Sequence, residues 1–417
     1  MRITIWGINY HPEQVGIGVY NTDLCEWLTG AGHHIVMVTA FAYYPAWRQS
    51  DQDKFCLYRS EMVGKKDDGQ RVRVHRCWLY VPDKPNAVRR MVHEATFTIS
   101  SFCKLLTLDA PDLYLVVMPP LLLGVAAWFL SIFKRVPVQL HVQDLQPDAA
   151  LSLGMLREGQ LASFLRMLEK FAYARAAQIS TISPEMGEII QNKGISPDKI
   201  VLFPNWVSLP DVSTRSQGQS WKVRHGVAPQ TAVISYAGNL GVKQGLEIIG
   251  EAAALLQNEN LLFVIAGNGG MKIQLQDLVS ESRLSNVFFQ DVLSDEEHTD
   301  LILESEICLI PQKKGSSSHF LPSKLLKILA LGRPVITNAD PGSALYNAVK
   351  AGEFGCNVTP GDVKALVESI VKLLAEPSWR TKMGNAGQKF VRQFDRDTVL
   401  SKAVCDFEKI CVRESEE

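Results

Sequence analysis

Residues 114–133 run for twenty positions without a charge, about the length a helix needs to cross a bilayer. Pro119-Pro120 interrupts that run. A proline inside a helix removes a hydrogen bond and clashes with the preceding turn, which disfavours a single span. The expectation is a buried parallel strand at 113–118 followed by a helix at 121–133. Pro137-Val-Gln-Leu140 then reads as the next strand. This apolar stretch asks for a parallel sheet covered by helices, not for a membrane span.

The same alternation holds on both sides of it. Strand patterns at 3–8 and 34–39 flank a helix pattern at 19–30. Later strands are read near 138, at 178–182 and at 200–203, with helices near 160–174 and after Ser183-Pro184. Short apolar strands separated by helices mark a doubly wound parallel sheet. Between 207 and 227 the pattern lapses into the polar run Ser213-Thr-Arg-Ser-Gln-Gly-Gln-Ser220, then restarts. Strands at 232–237, 261–266, 286–290, 307–310 and 334–337 alternate with helices at 246–257, 271–283, 295–305 and 323–331. The fold class is α/β, with two Rossmann-like doubly wound domains facing across a cleft. The first is expected over 1–207 and the second over 208–378, with helices over 379–417 that could cross back to the first.

Composition narrows the class. With 46% hydrophobic residues among 417 the chain is not disordered. Its 43 Lys plus Arg against 44 Asp plus Glu argue against a dedicated nucleic-acid binder. A local asymmetry remains: residues 54–104 hold eleven basic and five acidic side chains, either a solvated face or a surface for anionic lipid. The eight cysteines form no Cys-x-x-Cys pair and no zinc spacing, so reduced thiols are expected and no metal site. Residues 1–7 read as a strand and not as a leader, which points to the cytosol.

In open α/β sheets ligands bind beyond the carboxyl ends of the strands, so the loops there carry the function. After the first strand, Gly16-Ile-Gly18-Val-Tyr-Asn21 nearly matches a dinucleotide fingerprint, but Asn21 replaces its third glycine. The second strand ends Val38-Thr39-Ala40, with no acid for a ribose. An NAD enzyme is therefore disfavoured, leaving a tight turn or a glycine loop bordering an anion. The second domain opens Tyr236-Ala-Gly238-Asn-Leu-Gly241-Val-Lys243-Gln-Gly245-Leu-Glu247. Bare backbone, a helix start and a lysine are the parts of a diphosphate cradle, although the Walker ending is missing. Gly267-Asn268-Gly269-Gly270 reads either as a backbone contact to a nucleotide or as an ordinary strand-to-helix turn. Pro322-Ser323-Lys324 starts a helix and offers a hydroxyl, an ammonium and backbone N–H groups. Helix capping and anion binding use the same groups, so both readings hold there.

Taken in order, these residues carry a resemblance. Tyr10-His-Pro-Glu with Gly16 and Gly18, His141-Val-Gln-Asp144, Phe203-Pro-Asn-Trp206, the loop from Gly238 to Glu247 and Leu321-Pro-Ser-Lys324 resemble the retaining glycosyltransferases of family four. Within that family the colanic-acid-biosynthesis branch is the nearest likeness, and it runs over nearly the whole chain. The resemblance implies a GT-B fold and transfer of a sugar from a nucleotide-diphosphate-sugar, GDP- or UDP-linked, with retention and without a metal. Gly16 and Gly18 fall on the family's glycine loop, Lys243 on the basic residue that neutralises the leaving diphosphate, and Asn239 where many relatives carry an arginine. His141 falls where the family often has a histidine near the donor sugar. The family's pair of glutamates falls on His319 and Lys327, so its contacts do not carry over.

The implied chemistry needs no carboxylate nucleophile, because positive groups aimed at a departing phosphate lower the barrier as the glycosidic bond lengthens. That role is expected of Lys243 as principal counter-ion, with Ser323, Lys324 and the helix starts beside them. Gly238, Asn239, Gly241, Gly267, Asn268 and Gly269 would border the donor. His141 would hydrogen-bond the sugar or satisfy a strand end, and Asp144 would orient an acceptor hydroxyl or serve the fold. The acceptor is expected to be a saccharide or a polyprenyl-diphosphate-sugar, with no nucleic-acid partner. It would meet the first domain at 86–108, where Arg89, Arg90, His93 and Lys104 stand among apolar residues. That helix suits an anionic membrane surface, or equally a core helix with a wet edge. A sugar-nucleotide 2-epimerase of the same fold and a non-catalytic nucleotide-sugar-binding partner stay open as alternatives.

Overall fold

The computed structural model describes residues 1–13, 16–64, 71–84, 86–152, 156–209, 220–315 and 321–416. His319 and most of the polar run at 213–220 lie outside the described residues. The chain forms two compact units, Met1–Asn205 with Leu400–Glu417, and Trp206–Val399. They are called unit 1 and unit 2 below.

Unit 1 is built on the strands β1 (Arg2–Trp6), β2 (His34–Ala40), β3 (Tyr58–Val63), β4 (Val72–Cys77), β5 (Leu113–Met118), β6 (Val138–Val142), β7 (Gln178–Thr181) and β8 (Ile200–Leu202). They form one eight-stranded sheet in the order β3-β4-β2-β1-β5-β6-β7-β8. Every pair is parallel except β3 with β4. All six residues of β5 are buried, as a strand covered on both faces must be. The helix Leu121–Lys134 starts directly behind Pro120, which takes its N-cap position. The uncharged run is thus divided between strand and helix at the two prolines. Among the described residues no helix is long and apolar enough to cross a membrane.

The antiparallel hairpin of β3 and β4 has no counterpart in the sequence reading, which took this region as scattered charge. Its charges are partly spent inside the fold. Arg76 is buried, Nε donating to Glu61 Oε1 at 2.5 Å and Nη2 to the His11 carbonyl at 2.7 Å. Arg59 pairs with Asp53 at 2.7 Å. The residues Leu400–Glu417 close unit 1: the Phe407 ring meets Phe203 edge-on at 6.2 Å, and Cys411 Sγ donates to the Asp112 carbonyl at 3.5 Å.

Unit 2 holds β9 (Ala232–Ala237), β10 (Leu261–Ala266), β11 (Val287–Gln290), β12 (Ile307–Pro311), β13 (Val335–Asn338) and β14 (Gly355–Val358). All pairs are parallel, in the order β11-β10-β9-β12-β13-β14. Ile234, Phe263, Ile265 and Leu309 of the sheet share a buried cluster with Ile249, Ala253, Leu366 and Ile370 of the helices. Fully burying a side chain of that size contributes about 1.5–3 kcal/mol, so this cluster is a main source of the unit's stability. In each sheet the chain order reverses beside the first strand, at β1/β5 and at β9/β12. Those reversals open the crevices in which doubly wound sheets bind ligands.

Candidate active site

In unit 2 the loops behind β9 and β10 are stitched into one surface. Leu240 N donates to the Asn268 carbonyl at 2.9 Å and Met271 N to the Leu240 carbonyl at 2.8 Å. Tyr236 Oη donates to the Asn239 carbonyl at 2.7 Å. A Cβ on Gly267 would stand 1.9 Å from the Gly238 oxygen, and one on Gly269 would stand 2.4 Å from the Leu240 oxygen. Only bare backbone fits at these two crossings. Gly238, Asn239, Gly267, Asn268 and Gly269 are therefore brought together.

Lys324 joins them. Its Nζ lies 4.0 Å from the centroid of the Tyr236 ring, and 2.8 Å from where a Cβ on Gly238 would stand. Desolvation pulls its pKa down to about 7. The helix Ser323–Ala330 begins beside it with Pro322 at the N-cap, no side chain caps it, and Ser323 is exposed. An uncapped helix start beside a lysine draws an anion. Among the described residues, Gln244 Oε1 in the loop behind β9 and Asn338 Nδ2 at the end of β13 are buried polar atoms without a hydrogen-bond partner.

Lys243 sits differently. It lies in the 3-10 turn Val242–Gln244 behind Gly241, its carbonyl accepts from Lys313 N at 2.8 Å, and its residue surface is exposed. The ammonium packed on the Tyr236 ring beside Gly238 is that of Lys324. Lys327 donates to Asp295 Oδ1 at 2.6 Å and to the Asp295 carbonyl at 3.1 Å. His298 follows on the helix Asp295–Glu304, its pKa pushed down to about 4 by burial and by the neighbouring Lys327 and Lys324.

In unit 1, Gly16 takes a left-handed φ of 63° at the N-cap of the helix Ile17–Gly30. A Cβ on Gly18 would stand 3.3 Å from the Glu13 carbonyl. Glu13 has no role in the sequence reading, yet its buried carboxylate clasps this loop. Oε1 accepts from Tyr43 N at 3.0 Å and Tyr44 N at 2.9 Å, and Oε2 from Asn9 Nδ2 at 2.8 Å. Burial raises its pKa against these hydrogen bonds.

His141 is buried in β6 with both ring nitrogens engaged, Nδ1 with Ser180 Oγ at 3.0 Å and Nε2 with Gln143 Nε2 at 2.9 Å. Gln143 can only donate there, so Nε2 accepts and Nδ1 carries the proton. Burial pushes the pKa to about 3, and the ring stays neutral. Both nitrogens are thus used inside the unit, and His141 supports Gln143 at the strand end, one of the two roles read for it in the sequence. Asp144 follows β6 and is half-buried.

The helix Ala87–Leu106 is capped by Asn86, whose side chain accepts from Arg89 N. Arg89 is exposed, and Nη1 donates to the Lys84 carbonyl at 3.1 Å. Arg90 lays its guanidinium 5.1 Å from the centroid of Trp47. His93 does not belong to a basic surface: it is buried, and its pKa falls to about 4 through burial. A cavity of about 420 Å³ lined by His11, Pro12, Arg59, Glu61 and Arg76 holds arginines already paired to carboxylates. Among the described residues no group of three or more His, Cys, Asp or Glu side chains is arranged to hold a metal ion.

Two doubly wound α/β units with glycine loops at their switch points make up the GT-B fold. Residues 15–206 match the family described as Glycosyl transferase 4-like domain and residues 218–390 match Glycosyl transferases group 1, and the chain belongs to the family-four glycosyltransferases. It is 32% identical over 415 residues to an Escherichia coli K12 protein described as a colanic acid biosynthesis glycosyl transferase, WcaI, covering 97% of this chain and 99% of that one. The fold matches sucrose-phosphate synthase from Thermosynechococcus elongatus with a TM-score of 0.77 at 17% identity, over 99% of both chains. It also matches Anabaena HepE, solved with UDP-glucose, with a TM-score of 0.70 at 15% identity, over 98% of this chain and 100% of that one.

Proposed function

We propose that this glycosyltransferase moves a hexosyl group from a GDP- or UDP-linked sugar to a saccharide or polyprenyl-diphosphate-linked acceptor, in the synthesis of an exopolysaccharide or other cell-surface glycan. The observation that carries this reading is the Lys324 ammonium packed on the Gly238 loop at the switch point of unit 2. A diphosphate set against that loop meets backbone N–H groups, the Ser323 helix start and a cation whose desolvation it would relieve. Lys243, one turn further on, supplies a second charge from the solvent side.

The bond between the anomeric carbon and the β-phosphate oxygen breaks, and the acceptor oxygen takes its place on the same face. The acceptor's proton passes to the departing phosphate, which leaves as the nucleoside diphosphate. Lysines and helix starts stabilise the charge that develops on that phosphate, so the reading requires no metal. The description of the Escherichia coli relative as a colanic acid biosynthesis glycosyl transferase supports a surface-glycan product. The exposed Val88, Met91 and Val92 beside Arg89 support a peripheral contact with the anionic cytoplasmic face of a membrane.

The test is donor turnover with UDP-glucose and GDP-fucose, read as nucleotide release in the presence and absence of EDTA. Turnover should survive EDTA, and Lys324→Met should lower kcat/KM by about a hundredfold, the size of a lost charged contact to a leaving group. Nuclear magnetic resonance of the first product anomer reads retention directly. Turnover unchanged in Lys324→Met, or an inverted anomer, overturns the reading.

A further inference from the structure

We propose that Asp295, held in place by Lys327, takes the ribose diol of the donor nucleotide and sets a preference for ribonucleotide over deoxyribonucleotide. The inference rests on the transferase reading above, which sets the donor's diphosphate at Lys324, and adds where the nucleoside half lies.

Two helices of unit 2 start behind neighbouring parts of its sheet and meet at their first turns. The helix Asp295–Glu304 follows β11, and the helix Ser323–Ala330 follows β12. Lys327 stands three residues beyond Lys324, a spacing that puts both on one side of their helix. Its ammonium crosses to the other helix, donating to Asp295 Oδ1 at 2.6 Å and to the Asp295 carbonyl at 3.1 Å. His298 lies within electrostatic reach of Lys327, Asp295 and Lys324 at once, so the four side chains form one group. The Asp295 carboxylate is thereby carried by the neighbour of the lysine that meets the diphosphate.

The helix start does not depend on this pair. Ser294 and Glu297 close the capping box between them, and the Asp295 side chain takes no part in it. That side chain is 94% exposed, while the Lys327 that fixes it is 23% exposed. An exposed ion pair adds little stability, so its effect is to hold a carboxylate at a set place within reach of a ligand. Asp291 and Asp340, which also follow strands of unit 2, are engaged elsewhere: Asp291 pairs with Lys272, and Asp340 Oδ2 accepts from Gly315 N at 2.8 Å. In a nucleoside diphosphate the ribose is joined directly to the diphosphate, so its two vicinal hydroxyls fall within a side chain's length of the phosphates. Two adjacent hydroxyl donors match the two oxygens of one carboxylate. The Lys327 charge offsets the repulsion between that carboxylate and the phosphates, which lets the acid stand so near. His298, kept neutral chiefly by burial, brings no charge that would draw Asp295 away.

The experiment is titration calorimetry on the full chain with GDP, UDP and the 2′-deoxy form of each. The wild type should bind the tighter ribonucleotide about tenfold better than its 2′-deoxy form, the loss that one charged hydrogen bond accounts for. Asp295→Ala should erase that preference, weakening the ribonucleotide about tenfold and leaving the 2′-deoxy form nearly unchanged. Lys327→Met should shrink the preference as well, since it frees the carboxylate without touching the acceptor oxygens. Both positions lie at the surface ends of helices, and circular dichroism confirms that the variants fold. A wild type without the preference, or Asp295→Ala that weakens both forms equally, overturns the assignment of Asp295 while the nucleotide site stands. Failure of the wild type to bind any of the four nucleotides sinks the transferase reading, and this inference with it.

Discussion

With its pKa pulled from 10.5 to about 7 by desolvation, Lys324 binds fewer protons in the folded protein than in the unfolded chain across that interval. Stability must therefore rise with pH through the window, and the full penalty applies below it, on the order of a few kcal/mol. The neutral Lys324→Met should melt higher than the wild type near about pH 6, with the gain shrinking towards about pH 10, as followed by calorimetry without ligand. The same replacement should remove the nucleotide-induced melting shift, so one residue destabilises the empty protein and serves the loaded one. Diphosphate binding near about pH 8 should also take up close to one proton, read by titration calorimetry in buffers of different ionisation enthalpy. Uptake of no proton would mean that the phosphate does not meet Lys324.

At the scale of elements, the loops behind β9 and β10 act as a pair, because Gly267 leaves no room for a side chain beside the Gly238 oxygen. Gly267→Ala should separate them, at a cost of about 2 kcal/mol or more, and abolish nucleotide stabilisation, measured by chemical denaturation with and without GDP or UDP. This part of the site was legible in the sequence. Glycine runs at strand ends and Pro322-Ser323-Lys324 at a helix start are local signals, and each stands where the pattern puts it. The packing of the Lys324 ammonium on the Tyr236 ring was not legible, because neighbours in the chain say nothing of which side chain folds onto that ring. The packing of Trp47 against His93 was not legible for the same reason: no spacing links a loop behind β2 to the helix Ala87–Leu106. His93 looked like one more basic residue on an amphipathic face. The β3–β4 hairpin hid because its strand positions carry charges, which suits an edge strand and blurs the alternation.

Across the whole molecule, the two doubly wound sheets were readable because buried parallel strands are short, continuous and apolar, as in β5 and β10. The partnership of residues distant in the chain was not. The apolar residues exposed on the helices of unit 1 also escaped the reading in part: Phe129 at 45%, Ile132 at 54% and Phe133 at 68% lie on the helix Leu121–Lys134, beyond the basic helix first considered. The peripheral-membrane reading is best tested on Val88 and Arg89, since Arg90 is occupied with Trp47. Val88→Asp with Arg89→Glu should weaken binding to anionic vesicles severalfold, each basic residue near such a surface contributing about 1 kcal/mol. Equal sedimentation of variant and wild type with those vesicles removes this part of the function.

The last helix sets an order on synthesis. Phe407 and Cys411 complete the packing of a unit whose other residues end at Asn205, and all of unit 2 is translated between them. On the ribosome the first unit must wait, without its last helix, while its successor emerges and folds. A nascent chain arrested before Leu400 is thus the form of this protein most in need of a chaperone.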